Sequence, residues 1–234
     1  LLRSVSETGS TNADMLALAA AGEPEGLWLR ADRQSAGRGR MGRDWQSPTG
    51  NFYGSTLVRL LPGDPEAATL ALVAAVAVQD VLSAFAPQMP FRIKWPNDVM
   101  VEGAKISGIL LERTGDSVVV GIGVNLAFHP DGLPRAVTSL AALGAPVPSP
   151  DVFQVELADA FARWLRRWRS EGLAVLRAAW VERAHPAGTA LSVNAPDGSV
   201  TEGLFDGLEA DGALRLRLAD GSVRAIHAGD IFLI

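Results

Sequence analysis

Lys94 and Lys105 are the only lysines among 21 basic residues; every other is arginine. An ammonium is a compact point charge on a flexible stem, whereas a guanidinium is a planar fork. A chain that keeps lysine twice, in one short segment, marks positions where the fork does not substitute. The settings are Lys94-Trp95-Pro96-Asn97-Asp98 and Lys105-Ile106-Ser107-Gly108-Ile109-Leu110. A second segment, Gln34 to Arg43, sets Gly37, Gly39 and Gly42 among Arg38, Arg40 and Arg43. Its glycines let backbone wrap a ligand closely, and its arginines supply forked donors for carboxylate or phosphate. Trp45 and Pro48 could then close over an apolar body. Composition alone leaves a surface loop equally open. No Gly-Lys-Ser/Thr ends the segment, so it is not a Walker loop.

A third segment is Gly121-Ile122-Gly123-Val124-Asn125. It lacks the third glycine and the following helix of a dinucleotide fingerprint. Two readings remain: glycines that make room for neighbouring backbone, or a bare strand floor for a flat ligand with Asn125 offering its amide.

Other chemistries drop out. There is no cysteine, hence no thiolate nucleophile, metal site or disulfide. His129, His185 and His227 are scattered without paired carboxylates and read as structural or solvent-facing. No Gly-x-Ser-x-Gly elbow is present. What remains is catalysis by cationic positioning. A net charge of −5 argues against a nucleic-acid coat. The longest apolar run, Ala67 to Val78, is short for a bilayer, and no signal peptide opens the chain. A soluble, cytoplasmic protein without membrane attachment is expected.

Around these segments the spacing predicts their supports. Ser10-Thr11-Asn12-Ala13-Asp14 starts a helix that Gly22 stops. Residues 26–32 and 51–59 read as strands flanking an exposed loop over 33–50. Asp64-Pro65-Glu66 opens a buried helix to Phe85. Strands follow over 91–94, 99–111 and 117–126, with turns at Asn97-Asp98, Glu102-Gly103 and Gly115-Asp116. Phe153, Leu157, Phe161, Trp164, Leu165 and Trp168 recur at helical spacing, a core stripe, and a further helix covers 173–183. Beyond His185-Pro186, Asp-Gly turns at 197, 211 and 220 divide short alternating runs, which predicts a small barrel. The expected division is a catalytic domain over 1–185 and a second domain over 186–234.

Taken in order, Ser10-Thr11-Asn12, Gln34, Gly37 to Trp45, Ser47-Pro48, Lys94 to Asp98, Lys105 to Leu110 and Gly121 to Asn125 resemble the biotin protein ligases. The resemblance covers about residues 5–126, and the C-terminal segment is compatible with it. It implies an α+β fold: a mixed sheet flanked by helices, like class II aminoacyl-tRNA synthetases, with an SH3-like C-terminal barrel. It implies that biotin and ATP, with Mg²⁺, form biotinyl-5′-AMP and pyrophosphate. The biotinyl group then passes to a lysine on the biotin carboxyl carrier of an acyl-CoA carboxylase. By resemblance, Ser10, Thr11, Asn12 and Gln34 lie on the ureido side. Gly37, Arg38, Gly39 and Arg40 belong to the loop covering biotin and the adenylate. Lys105 serves the carboxylate and α-phosphate, and Arg40 joins it as a catalytic residue. Gly108, Gly121 and Gly123 wall the biotin slot, Trp45 and Asn125 serve adenine, and Lys94, Asn97 and Asp98 join the nucleotide side. Magnesium would ride mainly on the ATP phosphates, with Asp98 an outer contributor. A lipoate or octanoate ligase or transferase, and a non-catalytic adenylate sensor, are the alternatives. Only nine residues precede Ser10, against roughly 50 for a DNA-reading domain, so no DNA binding is expected. A monomer or a homodimer is compatible with the sequence.

Overall fold

The computed structural model describes residues 1–234. Its first part runs β1 (Leu2–Thr8), α1 (Thr11–Ala20), β2 (Trp28–Gln34), β3 (Phe52–Arg59), α2 (Leu70–Phe85), β4 (Arg92–Lys94), β5 (Asp98–Val101), β6 (Ala104–Thr114), β7 (Ser117–Val124), α3 (Pro150–Ser170) and α4 (Leu173–Arg183). The strands form one seven-stranded sheet in the order β1-β2-β3-β7-β6-β5-β4. β1 and β2 are parallel and all other neighbours antiparallel, so the sheet is mixed, as expected.

Alternation along the central strands assigns the two faces. Phe52 and Val58 of β3 and Val118, Val120 and Ile122 of β7 enter the large core. Leu57 and Val119 turn the other way, to a small cluster with Met15 and Ala19 of α1. On the large-core side, α2 packs against α3, α4 and the sheet. With its leading 3-10 turn this helix spans Ala67–Phe85, long and apolar enough to resemble a membrane span. It exceeds the run read from the sequence, and Leu70 and Leu72 through Val78 are all buried in the core. Helix α3 starts where Ser149 Oγ accepts the Val152 N–H at 3.3 Å with Pro150 in the first turn. Its aromatic stripe is buried throughout.

Two features differ from the sequence reading. β1 was not foreseen: it is largely exposed, carries no apolar face, and is held by its register with β2 from Leu2↔Trp28 to Thr8↔Gln34. The C-terminal strands β8 (Ala190–Asn194), β9 (Val200–Leu208), β10 (Leu214–Arg217), β11 (Val223–Ile226) and β12 (Asp230–Leu233) form an antiparallel sheet ordered β11-β10-β9-β8-β12. The Asp-Gly turns are present; each aspartate accepts the N–H two residues on, and each glycine has positive φ. β11 and β12 do not pair, however, so the sheet is open and not the closed barrel expected. Its apolar side, including Phe205, Leu214, Leu216 and Ile231, is continuous with the main core.

Candidate active site

Register across the large sheet lays out the site. Tyr53 pairs with Gly123, Gly123 with Gly108, Gly108 with Asp98, and Asp98 with Lys94. Cross-strand partners face one side, so a single rung runs from Tyr53 over two bare glycines to a carboxylate and an ammonium. The next rung holds Ser55, Gly121 and Leu110. A cavity of roughly 500 Å³ lies over both, a volume suited to a small molecule.

Lys105 reaches this face through an irregularity. Val99 pairs with Ser107, but Met100 pairs with Lys105, so Ile106 is skipped. Such a bulge re-aims a side chain. Without it, Lys105 would follow Ser107 and Ile109, and Ile109 lies in the large core. Instead Lys105 Nζ sits 2.6 Å from Asp98 Oδ1, and Lys94 Nζ 3.5 Å from Asp98 Oδ2. The preceding hairpin turn requires left-handed backbone at Glu102 (φ 49°) and Gly103 (φ 79°), as a tight two-residue turn does. Burial acts to raise the Asp98 carboxyl, but Lys105 and Lys94 outweigh it and hold it below the usual carboxylate range. Burial lowers Lys105 from the usual ammonium range, with Asp98 opposing.

At the other end a polar network closes around the start of α1. Gln34 Oε1 accepts from the Thr11 N–H at 2.8 Å and from Thr11 Oγ1 at 3.1 Å, while Gln34 Nε2 donates to Ser47 Oγ at 3.0 Å. Ser55 Oγ bonds Thr11 Oγ1 and Asn12 Oδ1 at 2.8 and 2.6 Å. Asn12 Nδ2 donates to Glu112 Oε2 at 2.8 Å. Asp14 does not cap the helix start: it accepts from Thr8 Oγ1, and the Thr11 N–H is satisfied by Gln34. Gln34 therefore ties the helix start to the loop with both ends of its amide. Ser10 is buried, lines the cavity and makes no side-chain cap.

The glycines make room for side chains of this chain. A Cβ on Gly123 would lie 2.6 Å from Trp45 Cε2, and one on Gly108 would lie 3.0 Å from Trp45 Cζ3 and 2.9 Å from Lys105 Nζ. The flat floor exists, therefore, and the Trp45 indole lies on it, with Lys105 Nζ 5.3 Å from the ring centroid. Gly121 is different: a Cβ there would land on Asn12 Oδ1, so its bareness seats Asn12.

The segment over 33–50 is a folded flap, more ordered than an open loop. Gln34 bridges Ser47 and Arg38 bridges Asp44. Gly37 is tightly enclosed, a Cβ there falling 2.5 Å from the Trp45 carbonyl oxygen, whereas at Gly39 the nearest atom is 3.5 Å away. Arg40 donates to Asn97 Oδ1 at 3.2 Å, Arg38 approaches Glu112 at 3.6 Å, and Arg43 pairs with Asp230 of the C-terminal sheet. That sheet also accepts Lys94 Nζ at the Ile231 carbonyl (2.9 Å) and Trp95 Nε1 at the Gly212 carbonyl (3.1 Å).

All the nominated side chains therefore line or border one cavity, but several have partners that differ from those expected. Asn97 Nδ2 is bound to the Ile109 carbonyl, and Asn125 Nδ2 to the Thr138 carbonyl at 3.0 Å, leaving Asn125 Oδ1 as its free polar end. Trp45, nominated for adenine, covers the glycines nominated for biotin. Asp98, expected as an outer magnesium contributor, lies within ion-pair distance of two ammonium groups, Lys105 and Lys94. No group of three or more His, Asp or Glu gathers to hold a cation. His129 bonds Ser139 Oγ and His227 lies 3.6 Å from Asp211, both away from the cluster.

Tyr53, Ser55, Glu112, Arg135 and Asp230 were missed. Tyr53 and Ser55 had a signal, being the polar residues of one parity on a buried strand. The others are brought in by long-range pairing. The cavity wall counts six cationic side chains (Arg38, Arg40, Arg43, Lys94, Lys105, Arg135) against Asp44, Asp98 and Asp230, a local excess of positive charge in an acidic protein.

The chain as a whole has known relatives. Residues 8–128 match the Biotin/lipoate A/B protein ligase family, and residues 192–234 match the Biotin protein ligase C terminal domain. The chain is 40% identical to the biotin–acetyl-CoA-carboxylase ligase of Paracoccus denitrificans, over 97% of this chain and 98% of that one. It is 34% identical to the Mycobacterium tuberculosis protein of the same name, over 97% and 86%. Biotin protein ligase from Aquifex aeolicus in complex with biotin and ATP superposes with a TM-score of 0.87 at 26% identity, covering 100% of this chain and 98% of that one. On sequence, fold and site geometry together, the chain belongs to the biotin/lipoate A/B protein ligase family.

Proposed function

We propose that this protein is an ATP-dependent biotin protein ligase acting on the biotin carboxyl carrier of an acyl-CoA carboxylase, in the cytoplasm. The observation that carries the reading is Lys105 Nζ, held 2.6 Å from Asp98 beside the Gly108–Gly123 floor. In the first step a carboxylate oxygen of biotin attacks the α-phosphorus of ATP. The bond from that phosphorus to the bridging oxygen breaks, and pyrophosphate leaves. Both reactants are anionic, and two unit charges at 4 Å repel by about 4 kcal/mol at an effective dielectric of about 20. Lys105 offsets this repulsion and stabilises charge developing between the reactants. Asp98 orients Lys105, and Lys94 keeps the trio net cationic. In the second step the neutral amine of the carrier lysine attacks the acyl carbon, the acyl–oxygen bond breaks, AMP leaves, and the amine loses its proton.

Magnesium suits this site as a companion of the ATP phosphates, since the cavity offers cations for phosphate oxygens and no acid cluster of its own. When bound, the ion would help neutralise those phosphates. Arg38, Arg40 and Trp45 on the flap would exclude water from the reactive anhydride. The buried amides and hydroxyls around Asn12 and Ser55 favour a polar ureido ring over the apolar end of lipoate. ATP-dependent transfer of labelled biotin to a carrier domain, with lipoate as competitor and Lys105→Ala as control, tests the reading. Transfer of lipoate in preference to biotin would overturn the substrate, and full activity of Lys105→Ala would overturn the mechanism.

A further inference from the structure

Arg135 has no role in any assignment above. It lies in the segment that leaves β7 and returns along β6. There the Lys105 N–H donates to the Ala136 carbonyl and the Thr138 N–H to the Lys105 carbonyl, both at 2.9 Å, and Lys105 and Val137 form a parallel bridge. This pairing holds the segment against Lys105, and Leu133, Pro134, Arg135 and Val137 line the cavity with it.

The other cations of the cavity wall are accounted for. Arg38 faces Glu112, Arg43 faces Asp230, and Lys94 and Lys105 share Asp98; Arg40 is bonded to Asn97. Arg135 is half-buried and forms neither an ion pair nor a side-chain hydrogen bond. Its charge is near enough to weigh on both Asp98 and Lys105. A guanidinium fork without an acid, facing the place where two anions must meet, is suited to phosphate oxygens.

We propose that Arg135 is a phosphate-binding residue that grips the polyphosphate of the nucleotide and retains pyrophosphate as it forms. The assignment rests on the adenylating reading given above. It separates Arg135 from Lys105 in function: Lys105 serves the reacting carboxylate and α-phosphate, and Arg135 serves the leaving group.

The test is biotin-dependent ATP–pyrophosphate exchange by the full chain and its R135A and R135K variants, with thermal melting as a check on folding. R135A is expected to raise the KM for ATP and the inhibition constant of inorganic pyrophosphate by about tenfold each. The KM for biotin should stay within about twofold by the same arithmetic, and R135K should recover part of the loss. Unchanged ATP and pyrophosphate constants in R135A would overturn the assignment. So would equal losses toward biotin and ATP with a lowered melting temperature, which would mark a structural role. Absence of exchange by the unmodified protein would instead refute adenylation. Calorimetric titration with inorganic pyrophosphate then decides Arg135 independently: weaker binding by R135A supports it, and equal binding removes it.

Discussion

Asp98 governs what Lys105 can do. The lysine stem is flexible, and in the free cavity only the carboxylate at 2.6 Å and the Trp45 face fix its end. Lys105→Ala should lower biotin-dependent ATP–pyrophosphate exchange by about 10²–10³ in kcat, the usual cost of losing one preorganised electrostatic contact. Lys105→Arg should recover little, because a planar fork does not reproduce a compact ammonium held 2.6 Å from Asp98. Exchange kinetics of both variants check this, and near-normal turnover by the arginine variant would contradict it. Asp98→Asn leaves two lysines, 13% and 11% exposed in their side chains, without a counterion. A loss of about 3–5 kcal/mol of stability at neutral pH is expected from breaking such a buried pair. The Asp98 carboxyl is held below its ordinary value. Its contribution is therefore complete above the unfolded value of about 3.9 and disappears as pH falls through the folded one. Urea denaturation across that acid range should show the wild type losing stability with a slope that Asp98→Asn lacks.

At the scale of elements, the flap was the most legible part of the site, because its chemistry is local. Glycines at 37, 39 and 42 among arginines admit a close-wrapping, cationic segment or a plain surface loop alike, the family resemblance selects the first, and the structure folds the segment over the cavity through Arg40–Asn97 and Trp45 on Gly123. The rung from Tyr53 to Lys94 was not legible, since it depends on register between strands far apart in the chain. Nor was the bulge that turns Lys105 into the cavity, which a period-two reading of β6 does not contain. The helix start at Thr11 was found from a capping pattern, but its side chains serve Gln34, Ser55 and Glu112. Local propensity placed the helix, and tertiary partners decided its hydrogen bonds. β1 escaped notice because an exposed edge strand has no apolar face to reveal it. The flap yields a separate prediction: Arg40→Gly removes the Asn97 contact and adds backbone freedom, so adenylate still forms but escapes. Rapid filtration should find biotinyl-5′-AMP released several-fold faster, about 1 kcal/mol for one lost charge-assisted hydrogen bond. Unchanged retention would refute the latch.

Across the whole molecule, the C-terminal sheet is tied to the site at three points: Arg43 with Asp230, Lys94 with the Ile231 carbonyl, and Trp95 with the Gly212 carbonyl. Asp230 and Ile231 line the cavity itself. Hairpins were legible in the Asp-Gly turns, but closure was not, because β11 and β12 are only four residues each and their meeting depends on overall curvature. An open sheet whose apolar side joins the main core can move only by disturbing that core, so it offers the flap a fixed anchor. Asp230→Asn tests this anchor while preserving shape. Arg43 and Asp230 are 36% and 25% exposed in their side chains, and such pairs contribute about 1 kcal/mol or less to stability. Thermal melting should therefore shift little. The flap, however, loses one of its three arginine contacts, so adenylate retention should shorten and transfer to the carrier should become less coupled to ATP consumption. Combining Asp230→Asn with Arg43→Ala separates a direct effect from an indirect one: if the ion pair is the link, the double variant is no worse than Arg43→Ala alone. Additive losses would mean that Asp230 reaches the flap by some other route.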